Sequence, residues 1–579
     1  MQGLFKKPLL GAFLLIVNVC VGAQADALSA RPMQSAVATA HPLATAAGEE
    51  ILRRGGNAFD AAVAVSAALA VVEPQSSGLG GGGFWLLHRA EDGFEVMIDG
   101  RERAPLEASR DMYLDDKGEV ILGRSVDGPL AAAIPGIPEA LDHLARRFGR
   151  LPLQESLAPA IYLAEEGFAV GPIFPKLAQF RLAALQEGGD AAKLFLKDGK
   201  PFGSGDLLKQ PDLARTLRAL AENGRNGFYM GEIAEQLVAG VREAGGIWSL
   251  KDLQAYRIAE RRPIITKYKG IRITSAPPPS SGGLLLAQML NQLEEHDLAK
   301  LENPRMVHLL AEIMRRAYRD RAEYLGDADF VDVPRAMLQS KDYAAGLSQS
   351  IRMDRTTPSS ELAATFMQED SGQHTSHFSI IDGEGNRVAA TLTINYPFGS
   401  GYVPPGTGVL LNNEMDDFSV KPGTPNLYGL VGAEANAIQP WKRPLSSMTP
   451  TFLDANDRVA VLGTPGGSRI ISMVLLSSLA FANGADAATM VSLPRLHHQY
   501  LPDRIEFEPD ALIPEDQAVL HKIGHTLEPV RDRYGDMQVV IWDRASGKLE
   551  AASDPRGIGK AVVSVGTPLR VGESTGLGR

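Results

Sequence analysis

A chain of 579 residues, 44% hydrophobic and 22% charged, holds enough apolar material for several packed layers of secondary structure. Its formal net charge of -11 gives nucleic acid no electrostatic reason to bind. The single cysteine, Cys20, falls in an N-terminal segment that reads as a removable leader. A mature chain without it has no disulfide, thiol nucleophile or thiolate metal site, so covalent chemistry falls to oxygen and nitrogen groups.

The leader is read from Lys6-Lys7, the apolar run Pro8 to Gly22 and Ala23-Gln24-Ala25. A basic start, a short apolar core and an A-x-A site predict a signal peptide over residues 1–25. The run is shorter than the ~20 residues that a spanning helix needs. The expected location is periplasmic or secreted. Next, Ala44 to Arg54 is predicted as a helix stopped by Gly55-Gly56, and Asn57 as the N-cap of an apolar helix over Ala58 to Val72. The glycine run Gly80 to Gly83 leads into a strand, Phe84 to His88, rather than a helix, and lacks a Gly-Lys-Ser/Thr ending. It is therefore read as close backbone packing and not as a phosphate loop. From Leu151 to Ser350 the period is mostly helical, with short strands at Ile264–Tyr268 and Ile271–Thr274. Arg355 to Gln373 is polar and aperiodic, and is expected to be an exposed, poorly anchored tail ending at His374.

Beyond His374 the pattern turns to β. Thr375 to Ile381 and Arg387 to Asn395 alternate around the turn Asp382-Gly383-Glu384-Gly385-Asn386, which predicts a hairpin. If Ile381 faces Arg387, Thr375 lies opposite Thr393 and His377 opposite Thr391. Thr375, His377, Thr391, Thr393 and Asn395 then share one face. That face is either a reactive site or a solvated, threonine-rich sheet surface. A threonine hydroxyl needs a neighbouring base, and a threonine at a chain terminus has one in its own α-amino group, with a pKa of about 7.7–8.0. Cutting His374–Thr375 would create that terminus. Helices at Ser472–Phe481 and Glu515–Ile523 and strands at Val459–Leu462 and Val539–Trp542 intermix without a βαβ rhythm, which predicts a layered α+β fold. His497-His498 lacks a third ligand at metal spacing and is assigned a structural role; no metal and no cofactor are expected.

Several motifs in one order resemble the γ-glutamyltransferase family, also called γ-glutamyltranspeptidases or glutathione hydrolases. They are Gly78–Phe84, Asp99-Gly100-Arg101-Glu102-Arg103-Ala104-Pro105, Thr375-Ser376-His377-Phe378-Ser379 through Thr393-Ile394-Asn395, Leu411 to Phe418, Arg443 to Met448 and Thr464 to Arg469. The resemblance implies an N-terminal-nucleophile αββα sandwich, formed jointly by a large subunit, 26–374, and a small catalytic one, 375–579, of one autocleaved precursor. It implies Thr375 as nucleophile, Thr393 as its orienting hydroxyl, and Gly466 and Gly467 as the oxyanion hole. Arg101, Ser446 and Ser447 would clamp the donor's α-carboxylate. Asp417, Glu414 and Asn395 would take its α-ammonium, and Tyr428 would sit in a lid spanning Lys421 to Pro440. Substrates would be glutathione and other γ-glutamyl compounds, with water, amino acids or peptides as acceptors. Ser376 stands where many relatives carry a second threonine. Two alternatives are a glutaryl-type cephalosporin acylase and, from another class, an unprocessed periplasmic binding protein.

Overall fold

In a computed structural model of the chain, which describes residues 31–362 and 375–565, the hairpin on either side of the Asp382–Asn386 turn lies at the centre of the larger sheet. This seven-stranded antiparallel sheet runs in the order Lys560–Val565, Gln34–Thr39, Ser376–Ile381, Arg387–Thr393, Gly82–Arg89, Phe94–Asp99, Ala259–Arg261. A six-stranded sheet packs against it, in the order Leu549–Ser553, Gln538–Asp543, Arg458–Gly463, Thr451–Asp454, Ile271–Ser275, Ile264–Tyr268. Both sheets interleave strands from before and after Thr375, so neither could close from one part of the chain alone. Residues 1–30, which include the expected leader, residues 363–374 and the C-terminal residues from 566 onward lie outside the described residues.

Alternation along each strand decides what each face meets. Phe378, Ile380, Val388, Ala390 and Leu392 join the core under helices Pro42–Arg53 and Ala58–Val72. Asn57 accepts from the N–H groups of Phe59 and Asp60, and the Asp60 carboxylate accepts from the Asn57 N–H, a reciprocal cap that starts the second helix where the sequence places it. All of Ala58–Val72 is buried. Its many alanines let a helix covered on all sides fit between the sheet and helix Leu153–Glu166. The opposite core joins Ala389 and Ile381 to Val459, Val461 and Val540 of the second sheet, and then to helices Gly282–Glu294, Asn303–Tyr324 and Ile470–Ala482. The layers are helix, sheet, sheet, helix, as the αββα expectation requires.

Of the two readings of the polar hairpin face, the solvated one fails: His377 and Thr391 are fully buried, and His377 packs against Gly463 of the second sheet. One expectation needs correction. The stretch after Arg355 is not loose throughout, because Thr356, Thr357 and Ser359 are held by the carboxylates of Glu312 and Asp503. Glu312 is in turn ion-paired with Arg315 and Arg316, so a buried charged network pins the chain just ahead of residues 363–374.

Candidate active site

The hairpin takes the register expected from its turn, with Ile381 opposite Arg387, His377 opposite Thr391 and Ser376 opposite Leu392. Thr375 precedes the first paired residue and continues toward the level of Thr393, which is bridged on its other side to Gly82. His377 Nδ1 lies 2.8 Å from Thr391 Oγ1, and Nε2 3.2 Å from Ser379 Oγ. Burial pushes the His377 imidazole down to about 3, so it stays neutral and supports the strand. A Cβ on Gly463 would stand 2.3 Å from that ring, which is why the facing strand carries glycine there. Asn395 departs from the shared face, since the strand stops at Thr393 and Asn395 adopts φ +73. Thr393 Oγ1 accepts the Asn395 N–H at 2.7 Å, while the Asn395 amide donates to Asn413 O at 3.0 Å. No hydrogen bond joins Thr393 to the Thr375 hydroxyl among the described residues; the two line the same pocket.

That pocket gathers Arg101, Asn395, Glu414, Asp417, Tyr428, Ser446, Ser447 and Gly467 around Thr375, together with Arg321. Arg101 is buried and ion-paired to Glu414 and Asp417, each at 2.5 Å, with Glu102 at 3.4 Å. The residues assigned to opposite ends of a donor are therefore bonded to each other here. Burial raises the carboxyls of Glu102, to about 8, and of Glu414, against the opposing pull of Arg101. Free volume is about 30 Å³, where one water needs ~10–15 Å³. Tyr428 forms the roof, its hydroxyl donating to Asn395 O at 2.6 Å. The roof segment hangs from the two acids beneath it: Asp416 accepts the Leu427 N–H and Asp417 accepts the Asn426 amide. The glycine pair supplies a backbone that other residues could not. Gly467 has φ +54, and a Cβ there would lie 2.7 Å from the Tyr428 ring. Gly466 has φ +143, and its Cβ would lie 2.6 Å from Met473.

Thr375 and Gly466 also line a second, larger cavity of about 700 Å³, walled by Arg469, Arg504, Arg531, Glu73 and Asp536 among others. Thr375 thus stands where two spaces of unequal size meet, with the glycine pair beside it. Glu73 ends the buried helix and accepts the Ser376 hydroxyl at 2.7 Å, so the serine's oxygen has a definite partner. Burial pushes Glu73 up to about 7, and Asp536 is raised by burial and by the charges of Glu73 and Asp554. As pH rises from 4.5 toward 7 the unfolded chain releases this proton while the fold retains it, so Glu73 lowers stability across that window. Glu73→Gln keeps an acceptor for Ser376 and removes the penalty. It should raise the melting temperature at pH 8, by the equivalent of roughly 3 kcal/mol, and change it little at pH 4.5. Equal shifts at both pH values would refute this assignment.

Sequence reasoning brought out ten of the residues that meet at Thr375 but passed over Arg321, Glu73 and Glu102 as participants. Arg321 is one of several arginines on helix Asn303–Tyr324, and nothing in its spacing marks it. His497 and His498 are buried and bonded to Ser472, Gln499, Arg315 and Asp503, in keeping with a structural role. A closer cluster, His308, Glu312 and His525, has its donor atoms engaged by one another, by Arg352 O and by the arginines. No described helix is long and apolar enough to cross a membrane.

Comparison with known proteins matches this geometry. The family model described as Gamma-glutamyltranspeptidase matches residues 44–564. The chain is 42% identical over 535 residues to the glutathione hydrolase proenzyme of Escherichia coli, covering 91% of each. It is 41% identical over 574 residues to that of Pseudomonas aeruginosa, covering 96% of this chain and 99% of the relative. Among solved structures, a cephalosporin acylase from Bacillus halodurans superposes with a TM-score of 0.80 at 28% identity, covering 92% of this chain and 96% of that one. Helicobacter pylori γ-glutamyltranspeptidase superposes with a TM-score of 0.54 at 40% identity, covering 55% and 93%. The helix–sheet–sheet–helix core with Thr375 at the edge of its central hairpin, and a match along nearly the whole described chain, make this protein a member of the γ-glutamyltranspeptidase family of N-terminal-nucleophile hydrolases.

Proposed function

We propose that the chain is the precursor of a glutathione hydrolase and γ-glutamyltransferase whose reaction runs through Thr375. The observation that supports it most is the position of Thr375 between a small pocket of opposed charges and a larger open cavity. A γ-glutamyl group carries a carboxylate and an ammonium on one carbon, several bonds from the reacting amide. The small pocket is lined by the Arg101 guanidinium, the hydroxyls of Ser446 and Ser447, and the carboxyls of Asp417 and Glu414, to both of which Arg101 is ion-paired. Arg101, Ser446 and Ser447 receive the carboxylate; Asp417, Glu414 and Asn395 receive the ammonium. The cysteinylglycine leaving group, or an incoming amino acid or peptide, occupies the larger cavity.

Maturation comes first. The Thr375 hydroxyl attacks the His374 carbonyl carbon, the acyl group moves from nitrogen to oxygen, and water cleaves the ester. Subunits 26–374 and 375–579 remain interleaved as a heterodimer. The freed α-amine then accepts the Thr375 hydroxyl proton as the oxygen attacks the γ-carbonyl carbon. Negative charge gathers on the carbonyl oxygen, toward the N–H groups of Gly466 and Gly467. Collapse breaks the C–N bond, and the α-ammonium returns the proton to the departing amine. Water or an amine acceptor then takes the γ-glutamyl group from the Thr375 ester. The N-terminal sequence Lys6-Lys7, the apolar run to Gly22 and Ala23-Gln24-Ala25 support a periplasmic or secreted location for this chemistry.

The Bacillus halodurans structure carries the name of the other chemistry, a cephalosporin acylase. A glutaryl side chain has no ammonium, and would leave Asp417 and Glu414 facing an apolar methylene. Release of p-nitroaniline from γ-glutamyl-p-nitroanilide should therefore exceed release from glutaryl-p-nitroanilide by ~10²-fold or more, the worth of a buried charge pair. Preference for the glutaryl compound would assign the chain to the acylases.

A further inference from the structure

Three side chains on the wall of the larger cavity have hydrogen-bonding capacity that the fold does not use. Glu73 accepts the Ser376 hydroxyl through Oε2 at 2.7 Å, and among the described residues no donor reaches its Oε1. Asp536 Oδ1 accepts the Gln538 amide at 2.8 Å, and Oδ2 is engaged by none of the described residues. A Cβ on Gly557 would stand 2.5 Å from Asp536 Oδ1, so glycine there leaves this carboxyl its place. Gln75, two residues beyond Glu73, is only 5% exposed and lines the same cavity. Its side-chain amide forms no hydrogen bond among the described residues, and its Oε1 is buried without a donor. Thr375 and Gly466 line this cavity with them.

A buried amide without a partner and two carboxyls sharing one wall are each costly unless a ligand answers them. The arginines around them are spent elsewhere. Arg469 and Arg504 are paired with Glu506, Arg556 with Glu508 and Asp554, and Arg495, whose charge reaches Asp536, with Asp554. None of these four is ion-paired to Glu73 or Asp536. The unused atoms are acceptors: Glu73 Oε1, Asp536 Oδ2 and the Gln75 carbonyl. A primary ammonium carries three N–H donors and no acceptor, which is the complement of that set. Such a group comes to Thr375 in the second half of the reaction. An amino acid or peptide acceptor approaches the γ-glutamyl ester as an ammonium and can attack only as an amine. Glu73, held near 7 by burial, suits a group that takes up a proton at neutral pH.

We propose that Glu73, Gln75 and Asp536 hold the α-ammonium of the acceptor beside Thr375, and that the Glu73 carboxylate takes the proton it must lose. The neutral amine then bonds to the carbonyl carbon of the Thr375 ester and the C–O bond breaks. The proton left on the new amide nitrogen passes through the Thr375 α-amine to the departing hydroxyl oxygen, and Glu73 gives its own to solvent. This rests on the γ-glutamyl reading and names the groups that favour an amine over water. The ratio of γ-glutamyl product to free glutamate isolates this step, because both products come from one γ-glutamyl-enzyme. At about pH 7 an α-amine is mostly protonated, whereas hydroxylamine is mostly an uncharged nucleophile. In self-cleaved Glu73→Gln, which keeps an acceptor for Ser376, the ratio with glycylglycine should fall ~10²-fold, the lower end for a positioned proton acceptor. With hydroxylamine it should change by less than ~3-fold, the spread of substitutions that break no contact. Asp536→Asn should lower the glycylglycine ratio ~10-fold, as for one hydrogen bond to a charged group, and carries the test where the first variant does not self-cleave. An unchanged glycylglycine ratio, or an equal fall for both acceptors, would overturn the proposal. A wild-type enzyme that turned over no γ-glutamyl donor would sink the functional reading itself; an unchanged partition in the variants sinks only the role of these three residues.

Discussion

Thr375→Ala should yield a single uncut chain on a denaturing gel and no measurable γ-glutamyl transfer. The two losses share a cause. The hydroxyl that attacks the donor is the one that attacks the His374 carbonyl, and without the first cut the α-amine that would serve as base remains an amide nitrogen with no basicity. Removal of a nucleophile costs ~10⁴–10⁶ in kcat, far beyond what burial or packing at a half-turn of strand could cause. Thr375→Ser keeps an oxygen but loses the methyl group that fixes its rotamer. It should mature more slowly and retain partial activity. A full-length wild-type band without turnover would favour the binding-protein alternative, and a full-length band with turnover would refute autocleavage, so the gel and assay together discriminate classes as well as residues.

The second large effect is expected at Arg101. It is buried against Glu102, Glu414 and Asp417, all within 3.4 Å. Arg101→Met leaves these acids facing one another in the interior. Breaking a buried pair in this way costs ~3–5 kcal/mol. Part of that is relieved because burial already favours the protonated forms of Glu102 and Glu414. A clear fall in melting temperature is expected, together with a loss of ~10²–10³ in kcat/KM for γ-glutamyl donors. Arg101→Lys keeps one charge but cannot span the positions that the planar fork reaches, and should fall between. Unchanged melting and unchanged KM in the Met variant would show that the acids are held by something else.

The hairpin shows what a sequence can and cannot convey. A compact turn with a period of two fixes which residues face each other, so Thr375 reaches the level of Thr393 and His377 pairs with Thr391. The same pattern does not say which face is covered. A row of threonine and histidine reads as solvated until a second sheet, with Gly463 cut to fit His377, is laid on it. Asn395 left that face because the chain turns at φ +73 directly after the strand, a change of direction that alternation cannot register. The buried helix after Asn57 was legible to the residue, since its cap and its stop are both local.

Long-range chemistry was the opaque part. Arg101 and Asp417 are 316 positions apart, and their roles were assigned separately, so their direct bond only emerges in the fold. Arg321 was hidden for another reason: an arginine on a charged helix looks like a surface residue, and only the turn of that helix against Ser281 and Ser447 points it inward. Glu73 was likewise an ordinary residue after a helix until Ser376 met it from the hairpin. The network around Glu312 anchors Thr356 and Thr357 by contacts that residue composition does not reveal.

The measurement that bears most directly on this account is N-terminal sequencing and intact mass of the smaller chain in an active preparation. Thr375 is expected as its first residue, in stoichiometric amount with the larger chain and in proportion to γ-glutamyl turnover. Turnover by uncut protein, or a smaller chain that begins anywhere other than Thr375, would contradict it.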